Sequence, residues 1–332
     1  MRELDALSAA ASFAFTPSAA RGAALDGAMH CQLASSLAHV AQACAGAAPD
    51  ITRQLIRPCE LLAAGKSLPP RAFGLYFQLA SSLFDGNEAA AEWAAAQLEA
   101  IDPRAPGLHM QGWGSAESAD VESVLALRMG ADVRQFAPVS AVTAKQFAAL
   151  VTEGLALLQA GAPELHGEIT GLLAEMLFAQ APTGAAMEFD GASHYQLWGL
   201  LLLNPSHHHT PLGIAEVLAH EAGHSLLFGM TIDEPLVLND DDELFLSPLR
   251  PDPRPMDGIY HATFVSARMA WAMEALADSG LLTNEEQRHA RSEAAKDREN
   301  FSRGWQTVRQ HGRLSATGLQ IMENARCWVN AG

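Results

Sequence analysis

The chain has 332 residues, 49% of them apolar, enough for one large core or two smaller ones. Its formal net charge of −17 argues against nucleic acid and anionic membranes as partners. The four cysteines, Cys31, Cys44, Cys59 and Cys327, show no CxxC spacing and read as free thiols in a reducing cytoplasm. The N-terminus lacks a basic region followed by a clean apolar stretch, and Leu200–Leu203 is too short to span a bilayer. Neither a signal peptide nor a transmembrane segment is expected, and the expected localisation is cytoplasmic.

Residues 1–100 are rich in alanine and poor in β-branched residues, which favours helices. Helices are expected at Ala23–Ala45, Asp50–Ala64, Pro70–Asp85 and Glu88–Ile101. His30 and His39 lie among apolar neighbours with no partner at metal spacing, so they read as core or surface histidines. Pro103, Pro106, Gly107, Gly112 and Gly114 make residues 102–120 a loop. Val121–Arg128 and Val133–Pro138 are expected as short strands around Met129-Gly130. Thr143–Ala160 and Glu164–Gln180 are expected helices. Ala185–Phe189 and Tyr195–Leu203 are expected strands around the turn-like tetrad Asp190-Gly191-Ala192-Ser193. The run YQLWGLLLL leads toward the next helix and brings His194 and Trp198 near enough to line a site there. The tract His207-His208-His209 reads as a solvated loop.

The chemistry-bearing stretch is Ala215–Gly229, AEVLAHEAGHSLLFG, which contains a HExxH motif at His220–His224. Thr210 can N-cap its helix, Pro211 suits the first turn and Gly229 suits the stop. Residues four apart share one helix face, so His220 and His224 can grip one metal ion together. Glu221 points to a neighbouring angle, where it can reach a metal-bound water or hold a ligand. The motif alone specifies neither the metal nor the reaction.

Downstream, Met230–Met256 carries an acidic run at 240–243 and five prolines, which preclude a continuous helix. A helix is expected over Asp257–Gly280 with Asp257 as cap, and His261, Val265 and Arg268 near one face. Thr283 and Glu286 fit a capping box for a helix running to Gln310, and a last helix spans Ala316–Val329. The motif needs a third protein ligand. Glu243 has the spacing of gluzincin aminopeptidases, but its DDELF surroundings do not match that family's second helix. Met230 stands where a metzincin would have histidine. His261 is the preferred third ligand, with Glu243 and Asp257 as alternatives.

HEAGH followed by SPLRPDPRPMDGIYHATF resembles the HExxH-motif proteins of ribosomal-peptide gene clusters. The residues that carry the resemblance are Pro248, Leu249, Arg250, Asp252, Arg254, Pro255, Gly258 and His261. Leu249 stands where that family usually has tryptophan, and the resemblance covers roughly residues 190–275. It implies Fe(II) as metal, α-ketoglutarate as cosubstrate and O₂ as oxidant, with hydroxylation at a side-chain Cβ of a precursor peptide. Three histidines would leave coordination positions open. A carboxylate ligand, Glu221 or Asp257, is the alternative that matches the commoner two-His-one-carboxylate set. Arg250 and Arg254 lie in the segment leading to His261, where an arginine fork would clamp the distal carboxylate of α-ketoglutarate.

The expected fold is mainly α with a small β-sheet (α+β), a zincin-like HExxH helix core flanked by helical layers. Residues 1–120 are expected as an N-terminal helical region, and 121–332 as the metal-binding catalytic region with C-terminal helices. Two other readings stand beside the oxygenase. One is a zinc metallopeptidase with Glu221 as general base. The other is a non-catalytic helical scaffold with a vestigial site.

Overall fold

The computed structural model describes residues 13–185, 189–250 and 252–331. The protein is mainly helical with a small sheet, as its composition predicts. The chain packs as two units. The first comprises Met1–Leu25, Ala149–Leu172 and His208–Gly332, and the second Asp26–Ala148 and Leu173–His207.

In chain order the helices begin with α1 (Ala19–Cys44), α2 (Pro49–Gln54), α3 (Ile56–Ala63), α4 (Pro70–Phe84) and α5 (Glu88–Glu99). Strand β1 (His109–Gly112) comes next, then α6 (Ala119–Met129), a 3-10 turn over Gly130–Gln135, α7 (Ala141–Gly161) and α8 (Pro163–Leu172). Strands β2 (Glu175–Phe178), β3 (Gly191–Ser193) and β4 (Leu200–Leu203) lead into α9 (Pro211–Met230). Two-residue strands β5 (Leu244–Phe245) and β6 (Arg254–Pro255) precede α10 (Met256–Asp278), α11 (Asn284–His311) and α12 (Ala316–Ala331).

In the second unit the sheet has the order β1-β2-β4-β3, with β1, β2 and β4 parallel and β3 antiparallel to β4. All four leucines of β4 are buried, as are Met176, Leu177 and Phe178 of β2. Such unbroken apolar runs are typical of parallel strands covered on both faces. His30 is a satisfied core histidine here: its ring nitrogens meet the Asp26 carbonyl at 2.8 Å and the Leu68 backbone N–H at 3.0 Å.

Several expected elements differ. Residues 121–128 form helix, because Val121, Val124 and Leu125 bury one face at helical spacing. Residues 133–138 are not a strand; residues 133–135 belong to the 3-10 turn, and Ala137 makes a single bridge to Gln180. The expected loop contains β1, and the helix expected over 164–180 stops at Leu172 so that β2 can pair on both sides. The tetrad at 190–193 contains β3 rather than a simple turn. Of the strand expected at 185–189, residues 186–188 lie outside the described residues. Of the strand expected at 195–203, only Leu200–Leu203 is extended.

In the first unit α9 is buried on nearly all sides. Leu218, Leu226 and Leu227 are each at most 1% exposed, a burial that stabilises by about 1.5–3 kcal/mol apiece. Thr210 caps it by accepting from the Gly213 N–H at 3.1 Å, and Pro211 occupies the first turn, as the sequence indicates. Helix α10 packs against α9 and α11, and two glycines set the approach. A Cβ on Gly223, inside the HExxH motif, would meet Val265 Cγ1 at 2.9 Å. One on Gly304 of α11 would collide with Thr263 Oγ1. Helix α10 starts at Met256 after Pro255, so Asp257 lies in its first turn rather than at its cap. The capping box of α11 forms as expected, with Thr283 accepting from the Glu286 N–H and the Glu286 carboxylate accepting from the Thr283 N–H.

Among the described residues α7 is the helix long and apolar enough, by length and composition alone, to cross a membrane. All four cysteines are free thiols.

Candidate metal centre

Helix periodicity puts His220 and His224 on one face of α9, and the packing of α10 brings His261 to them. The Nε2 atoms of His220 and His224 are 3.2 Å apart. The Nδ1 atoms of His224 and His261 are 3.1 Å apart, and those two rings stack at 12° with centroids 5.3 Å apart. Phe228, one turn beyond His224, packs on His261 with centroids 5.3 Å apart. Three imidazoles therefore meet in a row, with His224 in the middle and His261 37 residues further along the chain.

Burial favours the neutral form of two of the three rings. Burial holds the His224 imidazole well below its ordinary pKa, assisted by His220, His261 and the positive charge of Arg250. Burial also lowers His261, against the opposing pull of Asp257. Each ring-to-ring contact needs one N–H and one lone pair, and neutral imidazole supplies one of each. His220 Nδ1 lies 3.1 Å from Met269 Sδ, a weak acceptor. A proton on that Nδ1 would leave the Nε2 lone pair of His220 directed at His224.

This donor set suits a transition metal. Two nitrogens each about 2.1 Å from one ion lie about 3.0–3.4 Å apart for angles between square and tetrahedral. The His220–His224 pair falls within that range. His261 approaches the opposite nitrogen of His224. Among the described residues, no group of three or more His, Cys, Asp or Glu side chains is already posed around one point. Ligation by all three histidines therefore requires rotation of His224 or His261 about its side-chain bonds.

The carboxylates are placed unequally. Glu221 is 4% exposed, with Oε1 3.9 Å from His220 Nε2. Asp257 Oδ1 lies 3.9 Å from His261 Nε2, one helical turn away on α10. Glu243 is engaged elsewhere: Asn239 donates to its Oε2 at 3.2 Å and Arg313 pairs with its Oε1 at 3.1 Å. Arg254 donates from Nε to Asp252 Oδ2 at 2.8 Å, while Arg250 is exposed and acts electrostatically on His224. His194 stacks on Tyr195, and Trp198 is buried with its N–H donated to Asp26 Oδ1 at 2.9 Å. His207 pairs with Asp190 Oδ1 at 3.1 Å.

Sequence reasoning missed Met269. It lies eight residues after His261, two helical turns along the same face, so the signal was present in the spacing. Arg268 and Val265 fall where that spacing puts them, both against Gly223. Compared with known proteins, the chain matches no family model and no curated protein.

Proposed function

We propose that the protein is an Fe(II)/α-ketoglutarate-dependent oxygenase that hydroxylates a side-chain Cβ of a ribosomally made precursor peptide. The observation that carries this reading is the meeting of His220, His224 and His261 from two packed helices, His224 in contact with both others and the His224 and His261 rings kept neutral by burial. Those three residues would hold the metal, and the HExxH helix with its partner α10 would form the zincin-like core. When bound, iron with α-ketoglutarate and O₂ supplies the oxidation of a C–H bond, one oxygen atom entering the peptide as hydroxyl while the cosubstrate leaves as succinate and CO₂.

The chain's own residues would bind and orient. Neutral histidines present lone pairs without first losing a proton. Met269 fixes the His220 ring through Nδ1. An arginine would take the distal carboxylate of α-ketoglutarate. Arg250 is better supported than Arg254, because Arg254 is bonded to Asp252 whereas the Arg250 charge is felt at His224. Buried Glu221 would orient a ligand beside His220 rather than move a proton.

The test is anaerobic loading with Fe(II), then addition of α-ketoglutarate, O₂ and a candidate precursor peptide. The expected products are succinate and a peptide heavier by one oxygen atom. Loss of metal from the His261→Ala protein is expected as well. Full iron occupancy in that variant would remove His261 from the ligand set.

One observation favours a second reading, a zinc peptidase. Glu221 Oε1 stands 3.9 Å from the His220 nitrogen that faces His224, where a general base would take a proton from the attacking water. The variant Glu221→Gln separates the two readings. Reduced but measurable hydroxylation with iron retained is the oxygenase outcome. Peptide cleavage by the zinc form without cosubstrate, abolished in Glu221→Gln, is the peptidase outcome.

A further inference from the structure

The second unit holds a cavity of about 330 Å³ beside β1, the edge strand of the four-stranded sheet. His109 and Glu175 are register partners on adjacent parallel strands, and Gln111 is two residues along β1. Side chains two apart on a strand share a face, so all three project from one side of the sheet, and all three line the cavity. Arg71 and Arg104 line it as well.

The groups that lack partners here are acceptors. The Oε1 atom of Gln111 is buried with no hydrogen-bond partner among the described residues. The Glu175 carboxyl is pushed above its usual range by burial, although Arg71, His109 and Arg104 pull the other way, and no described residue hydrogen-bonds it. The cations are differently placed. Arg71 is bonded to Asp120. Arg104 holds Asp26 with both terminal nitrogens, at 3.3 and 3.0 Å. Asp102, also at the cavity, is taken by Arg57 at 2.9 Å.

The buried atoms left over in this cavity are acceptors, Gln111 Oε1 and the Glu175 carboxyl, and its rim carries surplus guanidinium N–H from Arg71 and Arg104 beside the Glu117 carboxylate. An ammonium group has three donors and no acceptor, and each arginine has five N–H groups, more than these bonds use. The volume lies at the lower end of small-molecule sites. We propose that the cavity binds a small molecule bearing both a primary ammonium group and a carboxylate, of the free α-amino-acid type. Its ammonium sits on Glu175 and Gln111, and its carboxylate meets Arg71 and Arg104. The site is separate from the histidine cluster in its residues and does not depend on the reading of that cluster.

The test is calorimetric titration of the full chain with the proteinogenic amino acids. At least one should bind saturably. For that amino acid, the N-acetylated form and the methyl ester should each bind about tenfold more weakly or worse, since each loses a charge-assisted contact. Glu175→Gln should weaken the parent amino acid to a similar degree with the circular dichroism spectrum unchanged. Should that variant fail to fold, Gln111→Leu removes the other acceptor without leaving a buried polar atom unpaired, and should weaken binding in the same sense. Absence of saturable heat with every amino acid overturns the proposal. So does binding that survives N-acetylation, which removes the ammonium, or survives either substitution. Equal binding of the methyl ester, or of a peptide amidated at its C-terminus, overturns the carboxylate half and with it the assignment to amino acids.

Discussion

Two sets of buried polar side chains in the first unit are built on opposite plans. Glu168 of α8 is 1% exposed and lies between two arginines. Arg21 donates to its Oε1 from Nε at 2.9 Å and from Nη2 at 2.5 Å, and Arg268 of α10 bonds its Oε2. The arginines also reach backbone carbonyls, Arg21 at Thr16 and Arg268 at Phe15. The interior along α9, α10 and α11 is different. His224 makes ring-nitrogen contacts with both His220 and His261, burial lowers the pKa of His224 and His261, and Asp297 of α11 is 6% exposed with Oδ2 unpartnered among the described residues. Opposite charges in contact tie chain segments together. Buried groups that can gain or lose a proton keep their chemistry available, at a cost in stability that varies with pH and with what binds.

The largest expected effect comes from breaking the Glu168 set. Glu168→Ala leaves Arg21 and Arg268 buried without their common partner, and should destabilise by about 3–5 kcal/mol in denaturant titration. His261→Ala should cost far less without metal, because it removes one neutral ring. A Glu168→Ala protein of unchanged stability would erase the distinction between the two sets.

Asp297 gives an intermediate effect with a pH signature. Burial, and then Glu216, push its carboxyl up to about 7. An unfolded aspartate titrates near 3.9, so between about pH 4 and 7 the folded state binds the extra proton. Stability from this group is fully present at about pH 4 and is lost as pH rises through about 7. The slope is at most about 1.4 kcal/mol per pH unit. Asp297→Asn should remove that slope and raise the melting temperature at pH 8 more than at pH 5. Equal shifts at both pH values would show that Asp297 is already ionised in the folded state.

The smallest effect is local. Thr283→Ala removes the capping box of α11 and should cost about 1 kcal/mol, measured by denaturant titration at fixed pH. Because this contact lies at an exposed helix end, the loss should be nearly independent of pH above about 5. A pH-dependent loss would couple the cap to the buried acids of the same helix.

The parts legible in the sequence are those whose bonds close within a few residues. Thr210 and Pro211 mark the start of α9, Thr283 and Glu286 mark the start of α11, and the four-residue spacing of His220 and His224 sets their shared face. Helical hydrogen bonds run from one turn to the next, so a short window of sequence contains both partners. The strands were decided elsewhere. Glu175–Phe178 continues a helical pattern in sequence and is a strand because β1 lies on one side and β4 on the other. Residues 121–128 carry branched residues that suit a strand, and they are helical because Val121, Val124 and Leu125 bury a single face. The site divides along the same line. Four residues of spacing bring His220 and His224 together, whereas the contact of His224 with His261 depends on α10 approaching α9 over Gly223, and the opposite-side placement of His261 is set by packing that no local pattern encodes.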